Sequence, residues 1–158
     1  VTKGARLGQA LRYHRNMITP PPSPAAATPQ PPADYELMLR VAPMPADVNG
    51  NGDIFGGWVM AQVDIAGGLA AARRARGRVV TVAVNAFLFK EPVSVGDAVS
   101  FYTKVVATGR TSITVHVEVF ATRKPSNPVT VKVTEATLAY VAIERSGVKR
   151  EVPPEPPA

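Results

Sequence analysis

The chain has 158 residues, enough for one domain with a modest core, and 46% of them are apolar, as a folded globular protein requires. It has no cysteine, which excludes disulfides, a thiolate nucleophile and cysteine metal sites, and its only histidines, His14 and His116, argue against a histidine metal centre or a Ser-His-Asp triad. The net charge is +6, but +4 of it falls in residues 1–33 (Lys3, Arg6, Arg12, Arg15, no acid), so the remainder carries only +2 and nucleic acid is not an expected partner.

Residues 1–33 form a basic, proline-rich arm: seven of the sixteen prolines lie between Pro20 and Pro32, among alanine, serine and threonine. Such a segment cannot bury a core and is expected to be disordered. Its acid-free first sixteen residues resemble an organelle-targeting sequence; the reading preferred here is a start site placed too far upstream, since Met17 follows Val1. The domain proper is expected over residues 34–148, and residues 149–158 read as a proline-rich tail whose Pro153–Pro157 end is expected to be disordered.

Between the tails, Tyr35 to Val41 predicts a short strand, and Pro43 to Asp53 a loop rich in turn residues. Gly56 to about Arg76 predicts one long helix. Gly67 and Gly68 inside it each cost about 1 kcal/mol relative to alanine, a cost that close approach of another backbone, from a curved sheet or a partner helix, is expected to offset. Strands follow at Val79 to Phe89, Ala98 to Ala107, Ser112 to Thr122 and Val129 to Ile143. The third alternates cleanly, with Ile113, Val115, Val117 and Val119 on one face and Thr114, His116 and Glu118 on the other. His116 is therefore expected at solvent or a sheet edge, without a catalytic role. One strand, a long helix, then antiparallel strands indicate an α+β architecture. No apolar run reaches the ~18 residues needed to span a membrane.

The run from Asn49 to Asp64, NGNGDIFGGWVMAQVD, concentrates the chemistry. It opens as a glycine-rich turn, passes through Gly56-Gly57 and becomes an apolar helix bearing one carboxylate, Asp64. A helix start with glycine in its first turn leaves backbone N–H groups uncovered, able to hold an anion or a developing oxyanion. A lone Asp on an apolar helix is costly without a task or a partner. Together these features point to acyl transfer with few side chains. Trp58 and Met60 are expected in the core or an interface. Asn49 and Asp53 can either cap the helix or orient water or substrate.

This sixteen-residue run closely resembles the signature of the hotdog-fold acyl-CoA thioesterases of the YciA type. The likeness extends through Arg76 to Val84, Lys90 to Asp97, Gly109 to Ser112 and Val133 to Ala136, covering about residues 35 to 145. The resemblance implies a hotdog fold, a long central helix wrapped by an antiparallel sheet of about five strands. It implies a cytoplasmic enzyme of fatty acid metabolism that hydrolyses short- to medium-chain acyl-CoA, with Asp64 catalytic, no metal, and no cofactor beyond the coenzyme A of its substrate. It also implies sites at a dimer interface, with dimers assembling to a hexamer. In related double-hotdog thioesterases an Asn stands at the position of Asp53.

Hydrolysis of a thioester needs a polarised carbonyl, an attacking oxygen and a departing thiolate. Asp64 can serve as general base to water or attack directly, while the Gly56 and Gly57 amides would hold the carbonyl oxygen. Seven residues separate Gly57 from Asp64, roughly 10 Å of helical rise, so both cannot touch one carbonyl. A two-fold partner would supply the missing half. For the coenzyme A phosphates the candidates are Arg76, Arg78, Arg110, Thr111 and Ser112. The cluster Arg73, Arg74, Arg76 and Arg78 has a plainer reading as a solvated helix end. A dehydratase of the same fold would need a His near the motif, and there is none. A non-catalytic acyl-CoA-binding or sensing module is the remaining alternative.

Overall fold

The computed structural model describes residues 29–155. Strand β1 (Glu36–Val41) leads through a short 3-10 turn at Pro45–Asp47 to helix α1 (Gly56–Ala75). Four strands follow: β2 (Val79–Phe89), β3 (Ala98–Thr108), β4 (Ser112–Arg123) and β5 (Val129–Ala142). They form one antiparallel sheet in the order β1-β3-β4-β5-β2. β1 and β2 are thus the two edges, and α1, which joins them in sequence, lies across the face between them.

The alternation in β4 sets that face. Ile113, Val115, Val117 and Val119 are fully buried against the helix side. The helix answers with small residues: its buried positions are Val59, Val63, Ala66, Gly67, Ala70, Ala71 and Ala75. Alanine and glycine at a helical spacing let the axis settle close to the sheet. Register shifts in β1, β2, β3 and between β4 and β5 are bulges, which curve the sheet around the helix. In β2 the irregularity includes Ala86 at φ 48°.

The helix stops at Arg76, whose left-handed conformation (φ 51°, ψ 42°) serves as its C-cap. The segment that follows β5 closes this end. Arg150 donates from its guanidinium to Ala75 O (2.8 Å), its backbone N–H bonds Ala142 O (2.9 Å), and Val152 N–H bonds Arg110 O (2.8 Å). Arg150 and Val152, within the stretch read from sequence as the tail, are thus tied to the domain. Arg150 satisfies a helix-end carbonyl that would otherwise lack a donor, and Val152 packs against the core. The expected arm, save residues 29–33, and the last three residues lie outside the described residues.

Candidate active site

Asp64 sits half-buried on the flank of α1 that faces β2. Its Oδ1 accepts a hydrogen bond from Thr81 Oγ1 at 2.7 Å, and the Tyr140 hydroxyl lies 3.3 Å away. Tyr140 also donates to the Asp64 backbone carbonyl at 3.1 Å. These residues line a cleft of about 390 Å³ between helix and edge strand, with Ile65, Leu69 and Arg78 along its walls. The acid in the apolar helix thus has partners on β2 and β5 and an opening beside it.

The start of α1 is a separate place. Its N-cap, Phe55, offers no side-chain cap. Asn49 and Asp53 do not cap this helix either, contrary to one of the two sequence expectations. Asn49 Oδ1 instead accepts from Asn51 N–H (2.8 Å) and Asp53 N–H (3.3 Å), so it organises its own turn. Both residues line a second cavity together with Gly56, Ile54, Phe89 and Val93. Gly56 lies close against Phe89: a Cβ there would be 3.2 Å from Phe89 Cζ, a tight contact. Within one chain the structure leaves the Gly56–Gly57 end and Asp64 in different cavities.

The predicted phosphate residues gather at the other end of the helix. Ile143 N–H bonds Arg78 O (3.0 Å) and Ala142 N–H bonds Thr111 O (2.8 Å), so the end of β5 links the two predicted groups. Arg76 and Arg78 are exposed, as is Ser112, while Thr111 is half-buried. Arg110 pairs with Glu151 at 3.2 Å, both side chains largely in solvent. The arginine cluster divides: Arg73 makes a two-pronged pair with Glu36, and Arg74 bonds Pro153 O (2.7 Å) and approaches Glu155 (3.4 Å). Arg76 and Arg78 are in no ion pair among the described residues, and Arg78 lines the Asp64 cleft.

Residues 51–125 match the thioesterase superfamily. The chain is 48% identical over 120 residues to the acyl-CoA thioester hydrolase YciA of Salmonella typhimurium, covering 75% of this chain and 90% of that protein. It is 47% identical over 122 residues to YciA of Escherichia coli, covering 76% and 92%. The chain belongs to the YciA family of acyl-CoA thioester hydrolases. Among solved structures, a mutant of a hexameric broad-specificity acyl-coenzyme A thioesterase matches with a TM-score of 0.74 and 43% identity, over 76% of this chain and 88% of that one. A hexameric thioesterase from Yersinia pestis matches with a TM-score of 0.71 and 47% identity, over 76% and 97%. The fold is the hotdog: one helix packed against a five-stranded antiparallel sheet.

Within this YciA-family frame, two residues beside Asp64 escaped the sequence reading. Thr81 lies in a run quoted for its family likeness, yet nothing local marks it as a partner of Asp64. Tyr140 follows Ala136 and Leu138 on the inward face of β5, and the unexplained Gly67 was its available signal. His116 also differs from expectation. It is half-buried, with Nδ1 2.8 Å from the Tyr35 hydroxyl, because the chain before β1 folds over the outer face of the sheet. Trp58 packs against the core, the first of the two expected places, and Met60 is 44% exposed in the single chain, which leaves the interface as its expected place. No helix among the described residues is long and apolar enough to cross a membrane.

Proposed function

We propose that Asp64 is the catalytic carboxylate of this acyl-CoA thioester hydrolase and that each active site is shared by two chains. The reaction adds water across the acyl C–S bond, giving a carboxylic acid and coenzyme A. Asp64 takes the proton of the attacking water, or attacks first to form an anhydride that water then opens. The thiolate is a good leaving group, so no strong acid is needed at the sulfur. The observation that carries this reading is Asp64 itself: a carboxylate in an apolar helix, anchored through Oδ1 by Thr81 and open to a cleft with Arg78 at its end.

The second half of the site is inferred from how α1 and β2 lie. The helix start touches Phe89, at the end of β2, while the Asp64 cleft adjoins Arg78, just before β2 begins. β2 is a sheet edge with Val80, Val82, Val84 and Leu88 exposed. An edge of that length and apolarity favours pairing with another strand. Antiparallel pairing of β2 with its copy would bring the partner's helix start toward this chain's Asp64, with the Gly56 and Gly57 amides facing the carbonyl oxygen. Asn49 and Asp53, beside Gly56, would reach the same carbonyl or its water. The hexameric state of its structural relatives is carried over here, with this dimer as its unit. Arg76, Arg78, Arg110, Thr111 and Ser112 would meet the coenzyme A phosphates, and short- to medium-chain acyl groups are the proposed substrates.

Thiol release from acyl-CoAs of increasing chain length tests this, with wild type, Asp64→Ala and Asp64→Asn in parallel. A loss of two or more orders of magnitude in kcat for both variants is expected, as for removal of a reacting base. A folded wild type that binds acyl-CoA without turning it over would instead make the chain a binding module.

A further inference from the structure

We infer that Tyr140 is a positioning residue that fixes which oxygen of Asp64 faces the substrate; the inference rests on Asp64 being the catalytic carboxylate. Tyr140 stands on the inward face of β5 and is 1% exposed. A phenol in that core needs a partner for its hydroxyl. It finds one by passing through the gap at Gly67, where a Cβ would lie 3.2 Å from Tyr140 Cζ and nearer still to the oxygen. The hydroxyl then sits 3.1 Å from the Asp64 carbonyl and 3.3 Å from its Oδ1.

Thr81, on β2, donates to the same Oδ1 at 2.7 Å. The single phenol proton is shared between the Asp64 carbonyl and Oδ1, so this one carboxylate oxygen is approached by hydroxyls from two different strands. The carboxylate cannot rotate without breaking these contacts, so Oδ2 is held toward the cleft as the reacting oxygen. Burial, and secondarily the negative charge of Asp64, push the Tyr140 phenol well above its usual range. It therefore stays protonated, a donor rather than an acid, across the range in which the enzyme works. Among the described residues, the ionisable groups facing Asp64 in its cleft are Tyr140 from β5 and Arg78 from the turn before β2; the helix contributes Ile65, Gly68, Leu69 and Ala72 there, none charged.

The test is Tyr140→Phe, which keeps the ring and removes the hydroxyl. The expected result is a fall in kcat of about tenfold, with KM for acyl-CoA within about twofold and oligomer size unchanged. The acid limb of the kcat profile should move to higher pH, because a hydrogen bond to the charged carboxylate is lost. Replacing Tyr140 with 3-fluorotyrosine, a more acidic donor of nearly the same shape, should move that limb to lower pH; this arm decides the matter if the Phe variant folds poorly. An unchanged kcat and pH profile in both variants, with Asp64→Ala inactive, would overturn the role of Tyr140 alone. Full activity of Asp64→Ala would overturn the catalytic reading beneath it.

Discussion

Gly67 and Tyr140 occupy each other's space: the tyrosine hydroxyl lies where a side chain at position 67 would begin. Glycine in mid-helix normally loses about 1 kcal/mol relative to alanine. Here the sign should reverse. Gly67→Ala is expected to destabilise the fold by about 1–3 kcal/mol, the usual range for overpacking a core, and chemical denaturation beside wild type measures it. Gly68→Ala serves as the control. A Cβ there meets Tyr140 only at 3.7 Å, ordinary contact, so that change should follow helix propensity and stabilise by up to about 1 kcal/mol.

Arg78 and Arg73 belong to one basic cluster but should behave differently. Arg73 is engaged with Glu36, whereas Arg78 lines the Asp64 cleft. Arg78→Ala is expected to raise KM for acyl-CoA several-fold, more at low ionic strength than at high, because the contact is electrostatic and screened by salt. Arg73→Ala should leave KM unchanged. Steady-state kinetics at two salt concentrations checks both.

Much of this was legible in the chain because each signal was local. The run from Gly56 to Asp64 carries the helix start, the acid and their spacing within nine letters, and the valine alternation of β4 names the buried face directly. What stayed hidden depends on distance in sequence. Asp64 meets Tyr140 across seventy-six positions and Thr81 across seventeen, and no periodicity encodes those meetings. The contacts at the start of the tail were hidden for a related reason. Proline-rich composition argues for looseness, but Arg150 and Val152 find a helix carbonyl and an apolar surface that only the folded chain presents.

Glu135 on β5 lies between Lys132 and Lys90, with contacts of 2.6 Å and 2.8 Å. Chiefly the hydrogen bond from Lys132, and then that from Lys90, hold its carboxyl down at about 2 against an ordinary 4.5. A depressed acid contributes stability that is present above its unfolded value and is lost as pH falls through the folded one. Stability should therefore decline between about pH 4.5 and pH 2, and the decline should be shallower in Glu135→Gln. Asp34 and Glu36, also lowered by their Lys104 and Arg73 partners, leave a residual slope in that variant. Urea unfolding across that window measures the difference.

Removing residues 149–158 should cost stability, since it takes away the Arg150 bond to Ala75 O and the packing of Val152. A loss of about 1–3 kcal/mol is expected from one charged hydrogen bond and one partly buried valine. Arg150→Ala alone should account for a substantial share. Thermal unfolding of the two variants beside wild type reads it out.

The two cavities at opposite stretches of one helix also set an arithmetic for mixed populations. If every site draws one half from each chain, as proposed, a variant crippled at Asp64 and another crippled at the helix start would each be inactive alone. In a mixed dimer, one site inherits both lesions and the other neither. Equal amounts of the two dead proteins, unfolded and refolded together, would place half the dimers in that mixed state and restore about a quarter of wild-type turnover.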